Sequence, residues 1–387
     1  MNDHLSFCIS GAGPIGLALA LGLAQLNANV TLLDHKQNID RQILADDRRM
    51  LALSHRSVEV FKRLGVWDVI KKHATAIDAV HVSQKNCKAE VLMTAKKQGI
   101  DHFGFLVPQG QIILALYDEI CQQEKVNLLL GSKIISNSEL HDGTVTINKN
   151  GEHIVQTFDW LIAAEGIHSS LRQNFGIETF TRDYDQIAVI ARVAFEKPHK
   201  NIAYERFTEN GPLALLPVND TEMAVVLITD HIELGKWQKA SDLTYAAEIL
   251  SRIGAKLGDI TDVGTRQIWP LSLMIPKKVV SGKLILAGNS AHGLHPIAGQ
   301  GLNLGMRDCE AILELFTLKR YPTTEDLIEF NKIRCKDILQ TVGATDFLVN
   351  AFGVKGPAAQ TARSLGLLGV KFLPGVKKKI ASIGMGY

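Results

Sequence analysis

Apolar positions along this chain recur with two different periods. Ser6–Ser10, Val30–Leu33 and Leu284–Ala287 are short, nearly continuous apolar runs, the pattern of strands buried on both faces. Leu17–Leu26, rich in alanine and leucine, predicts a helix between the first two. Helical spacing also runs through Val58, Phe61 and Leu64, through Leu114, Leu116 and Ile120, and over residues 240–257. By contrast, residues 78–106 alternate apolar with polar, as do Ala188–Phe195, Ile202–Phe207, Leu213–Leu216 and Met223–Ile228, predicting antiparallel strands. Val126–Leu130 and Val145–Asn148, with a turn at Asp142-Gly143, are read as strands leading back to the first sheet. Beyond Asp308 the pattern is helical over Cys309–Leu318 and Thr324–Phe352. The expected fold is α/β. A doubly wound domain is drawn from residues 1–77, 101–177 and 276–320, a β-sheet domain is inserted from 78–100 and 178–275, and 321–387 form a C-terminal helical region.

Composition narrows the function classes. A 46% apolar content in 387 residues is ample for a buried core. A net charge of +2 gives no electrostatic footprint for nucleic acid. The five cysteines are odd in number, far apart and without Cys-x-x-Cys spacing, so neither a disulfide framework nor a zinc site is expected. No metal ligand set is expected either. A strand pattern directly after Met1 is unlike a secretory leader, and no apolar run is long enough to span a bilayer, so a cytoplasmic setting is expected.

The chemistry begins at Gly11-Ala-Gly-Pro-Ile-Gly16. Strand, glycine turn, helix and strand follow in order, and the second strand ends in Asp34. This is the context that the Rossmann-like dinucleotide fingerprint requires. Gly11 makes the tight turn, Gly13 lets backbone approach a pyrophosphate, and Gly16 allows helix and strand to pack closely. Asp34 is placed to accept from a ribose hydroxyl, or serves as a loop acid. FAD and NAD share this pattern. Its N-terminal position, with a second motif near residue 288, favours FAD.

That second motif runs from Leu284 to Asp308. A strand and Gly288 lead to Asn289, then to Pro296-Ile-Ala-Gly299-Gln300-Gly301-Leu302-Asn303 and a helix expected to begin near Pro296. Bare backbone at its glycines and unpaired N–H groups at the helix start suit the electron-rich edge of a flavin. The string resembles the second FAD motif of the class A flavoprotein aromatic hydroxylases. It is most similar to the version in the ubiquinone-biosynthesis hydroxylases. In that family an aspartate stands where this chain has Asn289, which accepts without charge assistance.

Other segments extend the resemblance. Asp47-Arg-Arg-Met-Leu-Ala-Leu-Ser54 maps the family arginine to Arg49, with Arg48 as the alternative register. Gln109 and Gln111 stand where relatives carry a flavin-contacting side chain, and either also suits a helix cap. Ala163-Ala-Glu165-Gly166-Ile-His-Ser169-Ser-Leu-Arg172 is similar to the family's Asp-Gly motif, with glutamate replacing the aspartate. Gly211–Pro217 resembles the sheet over the active site, putting Pro217 near the flavin with His295 and Pro296. These are only near-flavin candidates, and no catalytic acid or base is identified. The resemblance implies hydroxylation of a polyprenyl phenol by FAD and O₂, with NAD(P)H as reductant. It also raises a quinone-biosynthesis complex as a partner. The tail Leu365–Lys379 interleaves apolar residues with lysines, either as an ordinary helical end or as a foot on the inner-membrane surface.

Overall fold

The computed structural model describes residues 4–47, 49–85, 90–135, 142–295 and 299–353, the last seven by backbone alone. A six-stranded sheet lies at its centre, in the order Val280–Ser281, Leu284–Leu286, Trp160–Ala163, Ser6–Ser10, Asn29–Asp34, Val126–Leu130. All neighbours are parallel except the outer pair, Val280–Ser281 with Leu284–Leu286. Phe7, Ile9, Leu32, Ile162 and Ile285 are fully buried, which explains their continuous apolar runs. The helix Pro14–Gln25 packs on this sheet and against the helix Gln300–Leu318. A Cβ at Gly22 would stand 2.6 Å from the Leu313 side chain, so glycine sets that helix–helix distance.

The second large sheet has eight strands. Its path is Ile260–Val263, Thr179–Phe195, Glu222–Asp230, Leu213–Pro217, Ile202–Phe207, Ala79–Gln84 and Glu90–Thr94, and Gln267–Pro276 also pairs with Thr179–Phe195. Neighbours are antiparallel except Ile202–Phe207 with Ala79–Gln84. Strand alternation sends Val189, Tyr204, Leu215 and Val225 into a core closed by Trp237, Tyr245 and Ile249 of the helices Leu234–Lys239 and Asp242–Ile253. The opposite face turns toward the strand Met50–Ser54. There Arg192 reaches Met50 Sδ at 3.4 Å, and the Thr75 hydroxyl donates to the Val218 carbonyl.

Two smaller sheets complete the fold. Met50–Ser54, Gly104–Pro108 and Thr75–Ile77 form one. Ser132–Ile135, Thr144–Lys149 and Glu152–Thr157 form the other. Only Val126–Leu130 therefore returns to the central sheet. The strand expected at 145–148 joins its own antiparallel meander, because its neighbours offer partners in sequence-local register. The helix Gln300–Leu318 follows Gly299, which is in a left-handed conformation (φ 60°); Pro296, where the helix was expected to begin, lies outside the described residues. Thr324–Gly353 is one long helix. The tail 354–387 is likewise outside the described residues. No helix among the described residues is long and apolar enough to cross a membrane.

Candidate cofactor site

The first glycine turn is held by geometry that other residues would break. Gly11 has φ 109°, and its N–H donates to the Leu33 carbonyl at 2.7 Å. A Cβ there would lie 2.3 Å from the Ala164 oxygen, and one at Gly16 only 1.8 Å from the Gly11 oxygen. Gly13 differs, since no atom lies within 4 Å of its Cβ position. Two glycines thus serve packing, while Gly13 leaves open space at the start of the helix Pro14–Gln25. Asp34 closes one side. Its Oδ2 accepts from the Ala12 N–H at 2.7 Å and its Oδ1 from Lys36 N–H at 2.9 Å. A carboxylate has further lone pairs, so capacity for a ribose hydroxyl remains.

Ala163 runs beside Ser10, so the loop after it meets the first turn. Glu165 is satisfied by four protein donors. Its Oε1 accepts from the Ser10 hydroxyl at 2.8 Å and that of Ser170 at 3.1 Å. Its Oε2 takes the Ser169 hydroxyl at 2.6 Å and the Leu171 N–H at 3.0 Å. The extra methylene lets the carboxylate curl onto the start of the helix Ser170–Asn174, which Ser169 caps through the Arg172 N–H. Gly166 (φ 86°) has nothing within 4 Å of its Cβ position and is a second open stretch of backbone. Arg172 is buried, and burial pulls its guanidinium pKa down. It donates to the Ser290 carbonyl at 3.0 Å and the Ile167 carbonyl at 2.6 Å, joining the two loops.

The second flavin-like motif arrives on the strand Leu284–Leu286. Gly288 (φ 58°) and Gly305 both close on Ile15 of the first motif, with Cβ positions 3.0 and 2.8 Å from its side chain. The Ser290 hydroxyl donates to the Gly166 carbonyl at 3.2 Å. All three motifs therefore meet. Asn289 is exposed beside them. Gln300 is buried, Leu302 packs on the core, and Gly301 has open space at its Cβ position. Asn303 is committed to protein: its Oδ1 accepts from the Ser54 N–H and Ser57 hydroxyl at 2.8 and 2.7 Å. Its Nδ2 donates to the Ala52 and Gly299 carbonyls, both at 2.9 Å. That is its usual complement, so Asn303 positions the helix start against the strand Met50–Ser54.

The remaining candidates scatter more. Arg49 folds back on Asp47, with contacts of 2.8–3.1 Å, and Arg48 lies outside the described residues. The Gln109 N–H donates to the Arg49 carbonyl at 2.8 Å, so these two candidates adjoin through backbone. Gln109 opens the helix Gln109–Ile120, and Gln111 is half-buried in its first turn. Buried His295 stands 3.2 Å from Gln186 Oε1 and edge-on to Tyr184, and burial pulls its pKa down to about 4. His292 Nε2 lies 2.9 Å from Asp308 Oδ2. Pro217 ends the strand Leu213–Pro217 in step with Leu213 and Leu215, whose side chains enter the helix-covered core. Ala214 and Leu216 take the other face.

Residues unremarked in the sequence also shape the site. Asp308 accepts the Gly288 N–H at 2.9 Å and is itself held by Arg334. An acid within a buried helix stretch was the available signal. Gly110 lets Leu44 approach, as its Cβ would lie 1.8 Å from the Leu44 oxygen. Open backbone at Gly13, Gly166 and Gly301, two helix starts and the acid Asp34 suit a dinucleotide that carries a pyrophosphate and a flat ring system.

A family model described as an FAD binding domain matches residues 4–318. The 3-demethoxyubiquinol 3-hydroxylase of Escherichia coli (strain K12) is 27% identical over 396 residues, covering 100% of this chain and 99% of that protein. The ubiquinone hydroxylase UbiL of Rhodospirillum rubrum is 26% identical, covering 98% of this chain and 89% of its own length. Among solved structures, the p-nitrophenol 4-monooxygenase PnpA from Pseudomonas putida DLL-E4 superposes with a TM-score of 0.79 at 18% identity, covering 99% and 98% of the two chains. That likeness concerns the fold.

Proposed function

Since the chain belongs to the FAD binding domain family, we propose that it is an FAD-dependent monooxygenase that hydroxylates a polyprenylated aromatic ring in ubiquinone biosynthesis, with O₂ and NAD(P)H. The observation that carries the reading is the meeting of three motifs, each leaving backbone open at a glycine: Gly288 and Gly305 close on Ile15 of the first, and the Ala163–Arg172 loop joins the other two through Ala164 and Ser290. When bound, FAD would supply the oxidising chemistry. Gly13, Gly166 and Gly301 would approach it, and Asp34 would receive its ribose. The sheet face across from Met50 would keep water from the reacting ring. Full-length similarity to relatives named as ubiquinone hydroxylases supports the substrate class.

Two finer points belong to the same reading. The substrate partitions into lipid, so the protein would work at the inner-membrane surface from the cytoplasmic side, using the lysine-rich tail. It would also take part in a quinone-biosynthesis complex. A second reading, a non-enzymatic member with weakened FAD binding, draws on Asn289 and on Glu165 being turned to protein donors. A visible flavin absorption band in the purified protein would oppose that second reading. A flavoprotein reductase would consume NAD(P)H without coupling O₂ to product.

The test is complementation in a strain lacking every other such hydroxylase. Restored ubiquinone, with one ¹⁸O atom on the ring after growth in ¹⁸O₂, is the expected result. No quinone, together with a protein that takes up no FAD, would overturn the reading.

A further inference from the structure

One rung of side chains crosses the eight-stranded sheet on the face opposite the helices. In register it runs Val91, Val82, Glu205, Ala214, Val226, Ile190. Alternation fixes the face. Tyr204, on one side of Glu205 in sequence, lies in the helix-covered core. Arg206, on the other side, donates to the Arg252 carbonyl at 2.6 Å and to Ser83 Oγ at 3.0 Å. Glu205 therefore points the other way. At one end of the rung, Val82 and Val91 pack with Val80, Met93 and Phe103. At the other, Ile190 and Val226 pack near Tyr184, whose ring meets His295 of the second flavin-like motif. The next rung carries Arg192, which touches Met50.

Glu205 is the single ionisable residue of this rung. Glu205 is half-buried as a residue, but its Oε1 is out of solvent contact and has no hydrogen-bond partner among the described residues. A buried, unpaired carboxyl oxygen costs stability and needs a reason. Burial alone pushes its pKa up to about 8. Among the described residues, the titratable and charged groups on this side include Arg192 with Glu222 at 3.9 Å, Asp230 at the far end of the strand Glu222–Asp230, the Tyr184–His295 pair, and the Asp78–His102 pair at the sheet edge.

We propose that Glu205 receives the ring hydroxyl of a phenolic substrate, holding the ring against the apolar rung and accepting its proton. This rests on the monooxygenase reading above. In the step, the phenol O–H bond breaks, the proton bonds to Oε1, and the electron pair stays on the phenol oxygen. Nothing is oxidised. The resulting phenolate is the more electron-rich ring. Glu205 must be ionised to act, so the step strengthens as pH rises through about 8.

The test uses FAD-loaded protein and 2-prenylphenol as the probe. Binding is followed by the flavin difference spectrum, and hydroxylated product by mass, from about pH 6 to pH 10. Wild type should show product formation rising with an inflection near the Glu205 pKa. E205Q should bind the probe roughly tenfold more weakly, by loss of a charge-assisted bond, and lose the inflection. E205L should do the same while unfolding no more easily than wild type, which separates a substrate role from a structural one. Equal binding and equal pH profiles in wild type and E205Q would overturn the inference. If wild type forms no product yet E205Q still weakens probe binding, the phenol site stands and the hydroxylase reading falls.

Discussion

Asp308 and Arg334 form a buried ion pair between the helices Gln300–Leu318 and Thr324–Gly353. Asp308 Oδ1 lies 3.0 Å from Arg334 Nε and 2.5 Å from Nη2, and the two side chains are 3% and 5% exposed. The other carboxylate oxygen serves Gly288 and His292, each at 2.9 Å. Burial opposes the charge, but Arg334 and His292 outweigh it and hold the carboxyl below its ordinary range. The turn of the second flavin-like motif is thus fastened to a helix some forty residues away in sequence.

Removing one partner leaves the other charged and buried, a loss of about 3–5 kcal/mol in comparable pairs. Arg334→Met should lower unfolding stability by that order in urea titration. Asp308→Asn should do likewise and also weaken FAD binding, because the Gly288 N–H loses its anionic acceptor. Wild-type urea midpoints in both variants would contradict a structural role for the pair.

The glycines of the first turn should separate by experiment. Gly13→Ala meets open space and should cost under about 1 kcal/mol of stability. It should nonetheless weaken FAD binding about tenfold, by putting a methyl into the open space the pyrophosphate would approach. Gly16→Ala drives a methyl into the Gly11 carbonyl and should destabilise the fold by about 1–3 kcal/mol or more. Calorimetry and flavin fluorescence titration read the two effects. If Gly13→Ala binds FAD normally, the open space at Gly13 is not where the pyrophosphate lies.

Asn289→Asp would restore charge assistance at an exposed position next to Gly288. FAD affinity should rise about fivefold, for roughly 1 kcal/mol. An unchanged dissociation constant would remove Asn289 from the cofactor contacts.

His295 carries a pH signature. Its pKa falls from 6.5 to about 4 on folding, because burial disfavours the imidazolium. Below pH 6.5 the unfolded chain binds a proton that the native one refuses, so stability falls as pH drops from about 6.5 toward 4. The loss is on the order of 2–3 kcal/mol by the bottom of that window. His295→Asn should flatten this part of the stability–pH curve. An equal slope in wild type and variant would assign the acid sensitivity elsewhere.

Lys377, Lys378 and Lys379, with Leu367, Leu368 and Phe372, supply the membrane test. Co-sedimentation with anionic vesicles should weaken with salt and with truncation after Lys355. Equal sedimentation of both chains would make the tail an ordinary terminus.

The cofactor motifs were legible because their requirements are local. Gly11, Gly13, Gly16 and Asp34 lie within one strand–turn–helix–strand unit, where spacing alone states the geometry. Gly299 reads in the sequence as one more small loop residue, and only the backbone shows it in a left-handed conformation just before the helix Gln300–Leu318. The Asp308–Arg334 pair had no comparable signature, since its members share no repeat and meet only through tertiary packing. Glu205 reads as one polar letter in an alternating strand. Only the register with Val82 and Ala214 places it alone in an apolar row. Glu165 kept its motif position but used its longer side chain on the helix start, which the letter alone does not reveal.

Arg172 donates to one carbonyl of its own loop and to one of the loop that carries Asn289. The two loops are therefore coupled through a side chain that asks only for backbone carbonyls. A chimera that imports residues 288–295 from a relative should keep the link wherever Arg172 is kept, so the constraint falls on Arg172 and on the path of the backbone rather than on the letters of either loop.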